Sequence, residues 1–283
     1  MRALDVRERA THFLRLLLRE YPQYPSVALF RCWEMALLAE IGFESPLLDL
    51  GCGDGRIVEH LLADPASNAP PPALVGLDLN RDSVRLAAAR PAYPGAVVAD
   101  ARAMPLRRAC VGSVVSICVL EHIPVVARVF DEIARVLRPG GTLAFSVPTP
   151  RLVAMAAETH PRDVGYAEAF RKQIDYCNMW EAEEWEAALQ RSGLSTENIV
   201  GFMPEGPARA WFAANDWALR PIRGRGALYR LAGPGLRRFA LGSALAHYWL
   251  HRLLPAARAG AVCARDQACA VLLVARRPRA PSA

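Results

Sequence analysis

The sequence predicts an α/β fold, in which a doubly wound, mostly parallel sheet carries helices on both faces. Short apolar runs alternate with segments of helical period between residues 46 and 148, and this alternation is typical of consecutive βαβ units. A glycine cluster, GCGDG, follows the first apolar run at residues 51–55. With 283 residues, 53% of them hydrophobic, the chain is long enough for one large α/β domain or two small ones.

Each element in the first half follows from a local pattern. The expected strands are PLLDL (46–50), ALVGLDL (73–79), GAVVAD (95–100), GSVVSICVL (112–120) and GTLAFSVP (141–148). The expected helices between them are RIVEHLLAD, RDSVRLAAARPA with Asn80 as its N-cap, and VARVFDEIARVL, which ends at the Pro-Gly signal RPGG.

The glycine cluster marks the expected binding edge of the sheet. Gly51, Gly53 and Gly55 stand where the first strand ends and a helix begins, and open α/β sheets bind ligands beyond the carboxyl ends of their strands. Glycine there permits positive φ and lets a ligand approach the backbone. The G-x-G-x-G spacing differs from the G-x-G-x-x-G of pyrophosphate binders, so a ligand site and a simple tight turn both remain open.

Two acidic residues follow the next two strands. Asp78 ends the second strand, 25 residues after Gly53, where a carboxylate accepts hydrogen bonds from two ribose hydroxyls. Asp100 ends the third strand and could accept from an adenine amino group. Each of them could instead cap a turn.

These motifs together resemble a known family. The stretches LLDLGCGDGRI, VGLDLN, VVADARAMPL, VLEHIP and RVLRPGGTLAFSVP, in this order, resemble the class I S-adenosylmethionine-dependent methyltransferases. Within them the chain is most similar to the methyltransferase type 11 and ubiquinone-biosynthesis-like groups, over about residues 45–150. The resemblance implies a seven-stranded Rossmann-like sheet of order 3-2-1-4-5-7-6, N-terminal helices, a helical insertion before the last strand, and S-adenosyl-L-methionine as cofactor.

The resemblance also implies roles for individual residues. Asp49 and the loop Gly51, Cys52, Gly53 and Gly55 would line the methionine and ribose portions of the cofactor. Asp78 would hold the ribose hydroxyls, Leu79 would pack on adenine, Asp100 and Ala101 would read the adenine edge, and Cys118 and Val119 would lie under the sulfonium. Arg31, in the N-terminal helices, could reach the methionine carboxylate or could be an ordinary solvated arginine.

A general base is needed only if the acceptor must lose a proton. His122 is the first candidate, because it follows the fourth strand and histidine suits proton transfer near neutral pH; it could also cap the next helix. His160 and Tyr166 are further candidates. Some ubiquinone-type enzymes hold a divalent metal with an acid three residues before a Glu-His pair, but Cys118 occupies that position here. We therefore expect no metal site.

The expected domains are an N-terminal helical lid (1–44), the cofactor-binding core (45–204 and 267–277), a basic helical insertion (205–266) and a tail (278–283). The insertion carries ten arginines against three acidic residues, a net charge of +7, whereas the whole chain has +6. It could meet anionic lipid, bind nucleic acid, or be an ordinary helical subdomain. Nucleic acid is disfavoured, because the chain shows no RNA-binding motif and has only one lysine.

One segment of the insertion suggests a membrane-surface helix. In RRFALGSALAHYWLHRLL, residues 237–254, the apolar stretch is too short to span a bilayer. Lying flat, this helix could place Phe239, Leu245, Trp249 and Leu253 in the interface while Arg237 and Arg238 met headgroups.

The sequence thus predicts a methyltransferase that acts on a small hydrophobic or lipid-like acceptor, with oxygen as the favoured atom. The alternatives are a module that binds S-adenosylmethionine for a partner without catalysis, and an enzyme of a water-soluble metabolite. The first residues, MRALDVRER, do not resemble a secretory signal, and the seven cysteines are scattered. Because the cysteines are odd in number and form no Cys-x-x-Cys pair, we expect a cytoplasmic protein, with membrane contact through 205–266 as an option and the oligomeric state open. The arginine-rich composition, with many alanines, prolines and glycines, suggests a bacterial, GC-rich source.

Overall fold

The computed structural model describes residues 3–66, 70–219, 221–222, 225–227 and 240–279. The chain divides into two compact units. The sheet unit comprises Ile41–Pro150, Arg171–Val200 and Ala270–Ala283, and the helical unit comprises Met1–Glu40, Arg151–Phe170 and Gly201–Cys269.

Nine strands and ten α-helices lie in the described residues. The strands are β1 (Leu47–Leu50), β2 (Leu74–Asp78), β3 (Gly95–Val98), β4 (Val111–Ile117), β5 (Leu137–Pro148), β6 (Ser195–Phe202), β7 (Pro221–Ile222), β8 (Arg225–Ala227) and β9 (Ala270–Arg276). The helices are α1 (Ala3–Glu20), α2 (Pro25–Leu38), α3 (Arg56–Leu62), α4 (Arg81–Ala88), α5 (Ala127–Val136), α6 (Pro150–Thr159), α7 (Tyr166–Ile174), α8 (Ala182–Arg191), α9 (Glu205–Leu219) and α10 (Ala240–Ala259).

The main sheet has seven strands in the order β3-β2-β1-β4-β5-β9-β6. Strands β1 to β5 pair in parallel, and β9 runs antiparallel to β5, from Thr142 opposite Arg276 to Pro148 opposite Ala270. Since β9 is the seventh strand of this sheet, the predicted order 3-2-1-4-5-7-6 is confirmed. Strands β7 and β8 form a separate antiparallel pair.

Aromatic packing fixes the helices on one side of the sheet. The ring of Phe130 on α5 lies 5.8 Å from that of Phe145 on β5 and 6.2 Å from that of Trp185 on α8. All three side chains are fully buried, and such tilted and edge-on ring pairs add to the stabilisation from apolar burial. On α4 the predicted N-cap is confirmed, because Asn80 Oδ1 accepts hydrogen bonds from the amides of Asp82 and Ser83 at 2.9 and 3.0 Å.

The helical unit is organised around the buried side chain of Trp33 on α2. Its indole nitrogen donates to the carbonyl oxygen of Ala257 on α10 at 2.9 Å, and a Cβ on Gly260 would lie 2.6 Å from the ring. The unit boundaries differ from the expected domains, because residues 151–170 join the helices rather than the sheet. The aromatic side chain of Tyr166 packs on Phe212 of α9, with 6.4 Å between the ring centroids.

Helix α10 differs from the expected membrane-surface helix. Trp249 and Leu253 are 5% and 2% exposed, because the helix turns this face inward and Trp249 packs against Trp217 of α9 at 4.9 Å. These two side chains are therefore not available to a membrane interface, and the expectation was wrong for them. Phe239, Arg237 and Arg238 lie outside the described residues.

Within the described residues, no helix combines the length and the apolar character needed to cross a membrane.

Candidate functional site

The glycine loop after β1 has the backbone that its sequence predicts. Gly51, Gly53 and Gly55 have φ values of +76°, +53° and +79°, in the left-handed region that favours glycine. A Cβ on Gly51 would lie only 2.4 Å from Cγ2 of Val119. The loop after β1 therefore needs a glycine at this point both for its conformation and for its contact with the loop after β4.

The Asp78 carboxylate is held by the backbone on both of its oxygens. Oδ2 accepts from the amide of Gly53 at 2.9 Å, and Oδ1 accepts from the amide of Asn80 at 2.8 Å. Each carboxylate oxygen keeps capacity for a further hydrogen bond. Leu79, the next residue, is 72% exposed, so a polar acceptor and an apolar surface stand side by side at the end of β2.

A cavity of about 300 Å³ opens at the carboxyl ends of β1, β2, β3 and β4, at the lower end of the roughly 300–1,000 Å³ found for ligand pockets. The residues predicted from the sequence that line it are Gly51, Asp78, Leu79, Asp100, Ala101, Cys118, Val119 and His122. The structure thus brings together, at one edge of the sheet, residues that come from four different strand ends.

Asp100 has a partner that the sequence analysis missed. Arg102 donates to both carboxylate oxygens of Asp100, with the shortest contact, Nη2 to Oδ2, at 2.7 Å. The hydrogen bonds and charge of Arg102 hold the pKa of Asp100 below its ordinary value. Arg102 also lines the cavity. A ligand that uses Asp100 must therefore share its oxygens with this arginine.

Behind the loop lies a buried polar layer. The Asp49 side chain is 3% exposed and accepts a hydrogen bond from the hydroxyl of Tyr93. Burial raises the pKa of Asp49 to about 7, against the opposing effect of the Tyr93 hydrogen bond. A Cβ on Gly55 would lie 2.7 Å from the Tyr93 ring, which explains the third glycine.

Cys52 belongs to the same buried layer. Its side chain is 9% exposed, and burial raises the pKa of its thiol to about 12, with the charges of Asp49 and Asp78 adding to the effect. The thiol therefore stays protonated and acts here as a small packing group. Contact of Asp49 or Cys52 with a cofactor stays a prediction.

The loop after β4 is fixed by a segment more than 50 residues away. Cys118 begins it with a positive φ of +50°, and a 3₁₀ turn follows at Leu120–His122. Asn178, which the sequence analysis missed, donates from Nδ2 to the carbonyl oxygens of Leu120 and Ile123 at 2.9 and 2.8 Å. This buried amide sets the path of the loop that carries His122.

The orientation of His122 favours one tautomer. Its Nδ1 lies 3.3 Å from the carbonyl oxygen of Asp175, and its ring packs edge-on against Tyr176 at 5.0 Å. Because a carbonyl oxygen can only accept, this contact requires the proton on Nδ1. Nε2 then carries a lone pair, as a proton acceptor must.

The other predicted site residues belong to the helical unit. His160 and Tyr166 meet at Asp216, which accepts from the Tyr166 hydroxyl at 2.5 Å and contacts His160 Nε2 at 2.8 Å. His160 Nδ1 lies 3.0 Å from the hydroxyl of Thr159, so both ring nitrogens are engaged. Burial, followed by Asp216, raises the pKa of Tyr166. Arg31 pairs with Glu34 at 2.6 Å. The catalytic roles of His160 and Tyr166 and the cofactor contact of Arg31 stay predictions.

No group of three or more His, Cys, Asp or Glu side chains in the described ranges has the arrangement of a metal site. Glu121 is fully buried, and its backbone oxygen accepts from the amides of Cys177 and Asn178.

Comparison with known proteins agrees with the fold. Residues 48–145 match the family model described as a methyltransferase domain. A relative from Mycolicibacterium smegmatis, named as a probable S-adenosylmethionine-dependent methyltransferase, is 33% identical over 157 residues, which cover 55% of this chain and 54% of the relative. The 27-O-demethylrifamycin SV methyltransferase of Amycolatopsis mediterranei is 31% identical over 163 residues, 54% of each chain. The chain spans about half the length of these curated relatives.

A solved structure shares the fold. Geranyl diphosphate C-methyltransferase from Streptomyces coelicolor A3(2), in complex with Mg²⁺, geranyl diphosphate and S-adenosyl-L-homocysteine, aligns with a TM-score of 0.56. The alignment covers 90% of this chain and 83% of that chain, at 16% sequence identity.

Proposed function

We propose that this protein is a class I S-adenosylmethionine-dependent methyltransferase of the type 11 group, because residues 48–145 match the methyltransferase-domain family model and a relative of that activity is 33% identical over 157 residues. We propose further that it transfers the methyl group of S-adenosylmethionine to a small hydrophobic or lipid-like acceptor, at an oxygen atom. The observation that carries the proposal is the cavity at the carboxyl ends of β1 to β4, where Gly51, Asp78, Asp100 and His122 meet. Sheets of this class bind their ligands at this edge.

The residues at this edge fit the cofactor. Asp78 offers two oxygens that each retain acceptor capacity, as a ribose diol requires. The exposed side chain of Leu79 offers an apolar surface beside it for an adenine ring. Asp100 and Ala101 lie next along the same edge. These residues would hold S-adenosylmethionine, and the positive-φ glycines would let it approach the loop backbone.

When bound, S-adenosylmethionine supplies a methyl group that its sulfonium has already activated. The protein is then left with orienting the acceptor and excluding water. Val119, Ile123 and Pro124 supply the apolar part of the cavity wall near the loop after β4, and Asn178 keeps that loop in place.

The choice of oxygen as the acceptor atom rests on His122. A hydroxyl must lose its proton during transfer, and a general base that accepts it contributes about 10²–10⁴ in rate. His122 lines the cavity, and its contact with the carbonyl oxygen of Asp175 leaves Nε2 as the acceptor. An amine or an activated carbon acceptor would need this base far less.

We also propose a cytoplasmic location with peripheral contact to anionic lipid through residues 205–266. In the described part of this segment, Tyr248 is 47% exposed, and Arg252 donates to its hydroxyl at 3.2 Å. An aromatic ring with a cation beside it suits the headgroup region of a bilayer. The net charge of +7 over the whole segment supports the same contact, and a lipid-soluble acceptor would then be reached from the membrane surface.

Titration calorimetry is the direct test of the cofactor. S-adenosylhomocysteine should bind at a single site, and NAD should not bind. A labelled-methyl assay over hydrophobic fractions of a cell extract then tests the reaction. Binding of S-adenosylhomocysteine without any labelled product would favour the alternative, a module that binds the cofactor for a partner. Absence of binding would refute the proposal.

A further inference from the structure

A second cavity, of about 730 Å³, lies within the helical unit between α1 and α10. Its volume is in the upper part of the range for small-molecule sites, roughly 300–1,000 Å³. Arg15, Leu18 and Arg19 line it from α1, and Ala246 and His247 line it from α10. None of these residues belongs to the methyl-transfer site, so the cavity needs an explanation of its own.

One side of the cavity is cationic. Arg15 and Arg19 are separated by one helical turn, so both side chains lie on the same face of α1. Both residues are exposed, and in the described parts of the chain neither guanidinium forms an ion pair with a carboxylate. The lining that the described residues form contains no acidic side chain. Two adjacent guanidiniums without a carboxylate favour an anion, and guanidinium geometry suits phosphate or carboxylate oxygens.

The other side of the cavity is apolar. Leu18 is 1% exposed, Ala246 is 8% exposed, and Leu250 is half-buried. Among the described residues that line the cavity, the imidazole of His247 is the one aromatic ring, which makes a stacked nucleobase a poor occupant. A cationic rim above an aliphatic wall instead matches a molecule with an anionic head and an alkyl chain.

We propose that this cavity binds a single-chain amphiphile with a phosphate or carboxylate head, whose oxygens meet Arg15 and Arg19 and whose chain lies along Leu18, Ala246 and Leu250. The proposal does not depend on the methyltransferase activity. The proposed site binds one amphiphile molecule at a time, and it is therefore different from the proposed contact of residues 205–266 with a bilayer surface.

Titration calorimetry with alkyl phosphates of eight, ten and twelve carbons, each below its critical micelle concentration, tests the proposal. The dissociation constant should fall with chain length, by up to about fourfold for each methylene that becomes buried. Inorganic phosphate should bind at least about 100-fold more weakly than the twelve-carbon phosphate.

Matched variants test the residues. Arg15→Gln with Arg19→Gln should weaken alkyl phosphate binding at least about tenfold, because two charge-assisted contacts are lost. Arg7→Gln is the control, since Arg7 is an exposed arginine on the same helix that does not line the cavity. Ala246→Phe should narrow the apolar side of the cavity and reduce the chain-length dependence of binding. Circular dichroism shows whether each variant is folded. The anionic head is tested by the arginine variant and the alkyl chain by the Ala246 variant, so the two tests do not depend on the same substitution.

Three outcomes would overturn the proposal. Equal binding of inorganic phosphate and alkyl phosphates would remove the role of the chain. Equal affinity of the wild type and the Arg15→Gln, Arg19→Gln protein would remove the role of the arginines. Binding to anionic vesicles without binding to monomeric alkyl phosphates would assign the charge to a membrane surface rather than to a cavity.

Discussion

The backbone amide of Gly53 donates a hydrogen bond of 2.9 Å to Oδ2 of Asp78, and this bond joins the loop after β1 to the end of β2. The second oxygen of Asp78 accepts from the amide of Asn80. The carboxylate is therefore oriented before any ligand arrives, so little conformational freedom remains to be lost on binding. Replacement of Asp78 should therefore weaken cofactor binding directly.

Replacing Asp78 by alanine should weaken the binding of S-adenosylhomocysteine at least tenfold. The variant loses hydrogen bonds to a charged acceptor, each of which contributes roughly 1.5–3 kcal/mol, and about 1.4 kcal/mol corresponds to one decade in affinity. Asp82→Ala is the matched control, since Asp82 is an exposed aspartate in the first turn of α4. Titration calorimetry measures the affinity of both folded variants for S-adenosylhomocysteine. Equal affinities of the two variants would contradict the role given to Asp78.

Replacing His122 by alanine should lower the turnover of a hydroxyl acceptor by about 10²–10⁴ while the affinity for S-adenosylhomocysteine stays nearly the same. His60→Ala on α3 serves as the control, because His60 does not line the cavity. If His122→Ala turns over a hydroxyl acceptor as fast as the wild type, His122 is not the general base and has only a structural role.

Asp49 should make the protein less stable as the pH rises from about 4 to 7. The pKa of Asp49 is about 7 in the folded protein, above the ordinary 3.8. The folded protein therefore keeps a proton that the unfolded chain releases, and the contribution of Asp49 to stability falls through this range. Between pH 5 and pH 8 the fall amounts to roughly 2.5 kcal/mol.

Asp49→Asn isolates this contribution, since the asparagine Oδ1 can still accept from Tyr93 but has no charge. Urea unfolding of wild type and variant at pH 5 and pH 8 gives the difference in the free energy of unfolding. The variant should gain stability relative to the wild type at the higher pH. A difference that does not change with pH would show that Asp49 is not protonated in the folded protein.

Gly51→Ala should destabilise the protein far more than Gly53→Ala. Both residues have positive φ, which costs a non-glycine residue about 1–2 kcal/mol. At Gly51 the new methyl would also meet Val119 at 2.4 Å, whereas nothing lies within 4 Å of the same atom at Gly53. Overpacking adds about 1–3 kcal/mol. Urea unfolding without cofactor measures the free energy of unfolding of both variants. Val119→Ala should partly restore the stability lost in Gly51→Ala. Similar losses of stability in Gly51→Ala and Gly53→Ala would refute the close contact between Gly51 and Val119.

Sedimentation with vesicles tests the proposed membrane contact. The protein should bind anionic vesicles at low salt and release them as the salt concentration rises, because each basic residue near an anionic surface contributes about 1 kcal/mol, and salt screens it. Replacing Arg237 and Arg238 by glutamate should weaken binding at least about tenfold. Arg107→Glu with Arg108→Glu, an exposed arginine pair in the sheet unit, is the control. If the protein does not bind anionic vesicles even at low salt, the proposed membrane contact is wrong, and the acceptor is then a water-soluble molecule.

The sequence by itself determined the sheet and its binding edge. Strands and helices alternate with clear periods, and the carboxyl ends of parallel strands must lie along one edge. The strand order came from the family resemblance that the ordered motifs carry. Gly51 and Asp78 could therefore be placed in one site from their positions at strand ends alone. The positive φ of Gly51 was predictable as well, because a tight strand-to-helix turn leaves few conformations to other residues.

Only the tertiary structure decided which side chains support these residues. Asn178 holds the loop of His122 from more than 50 residues away, Tyr93 reaches Asp49 across 44 residues, and Asp216 joins His160 to Tyr166. The cavity between α1 and α10 likewise depends on helices that are distant in sequence. Such contacts arise from how finished elements pack. No local periodicity or turn signal records the partner of a side chain on another element, so the chain specifies these pairs only once it has folded.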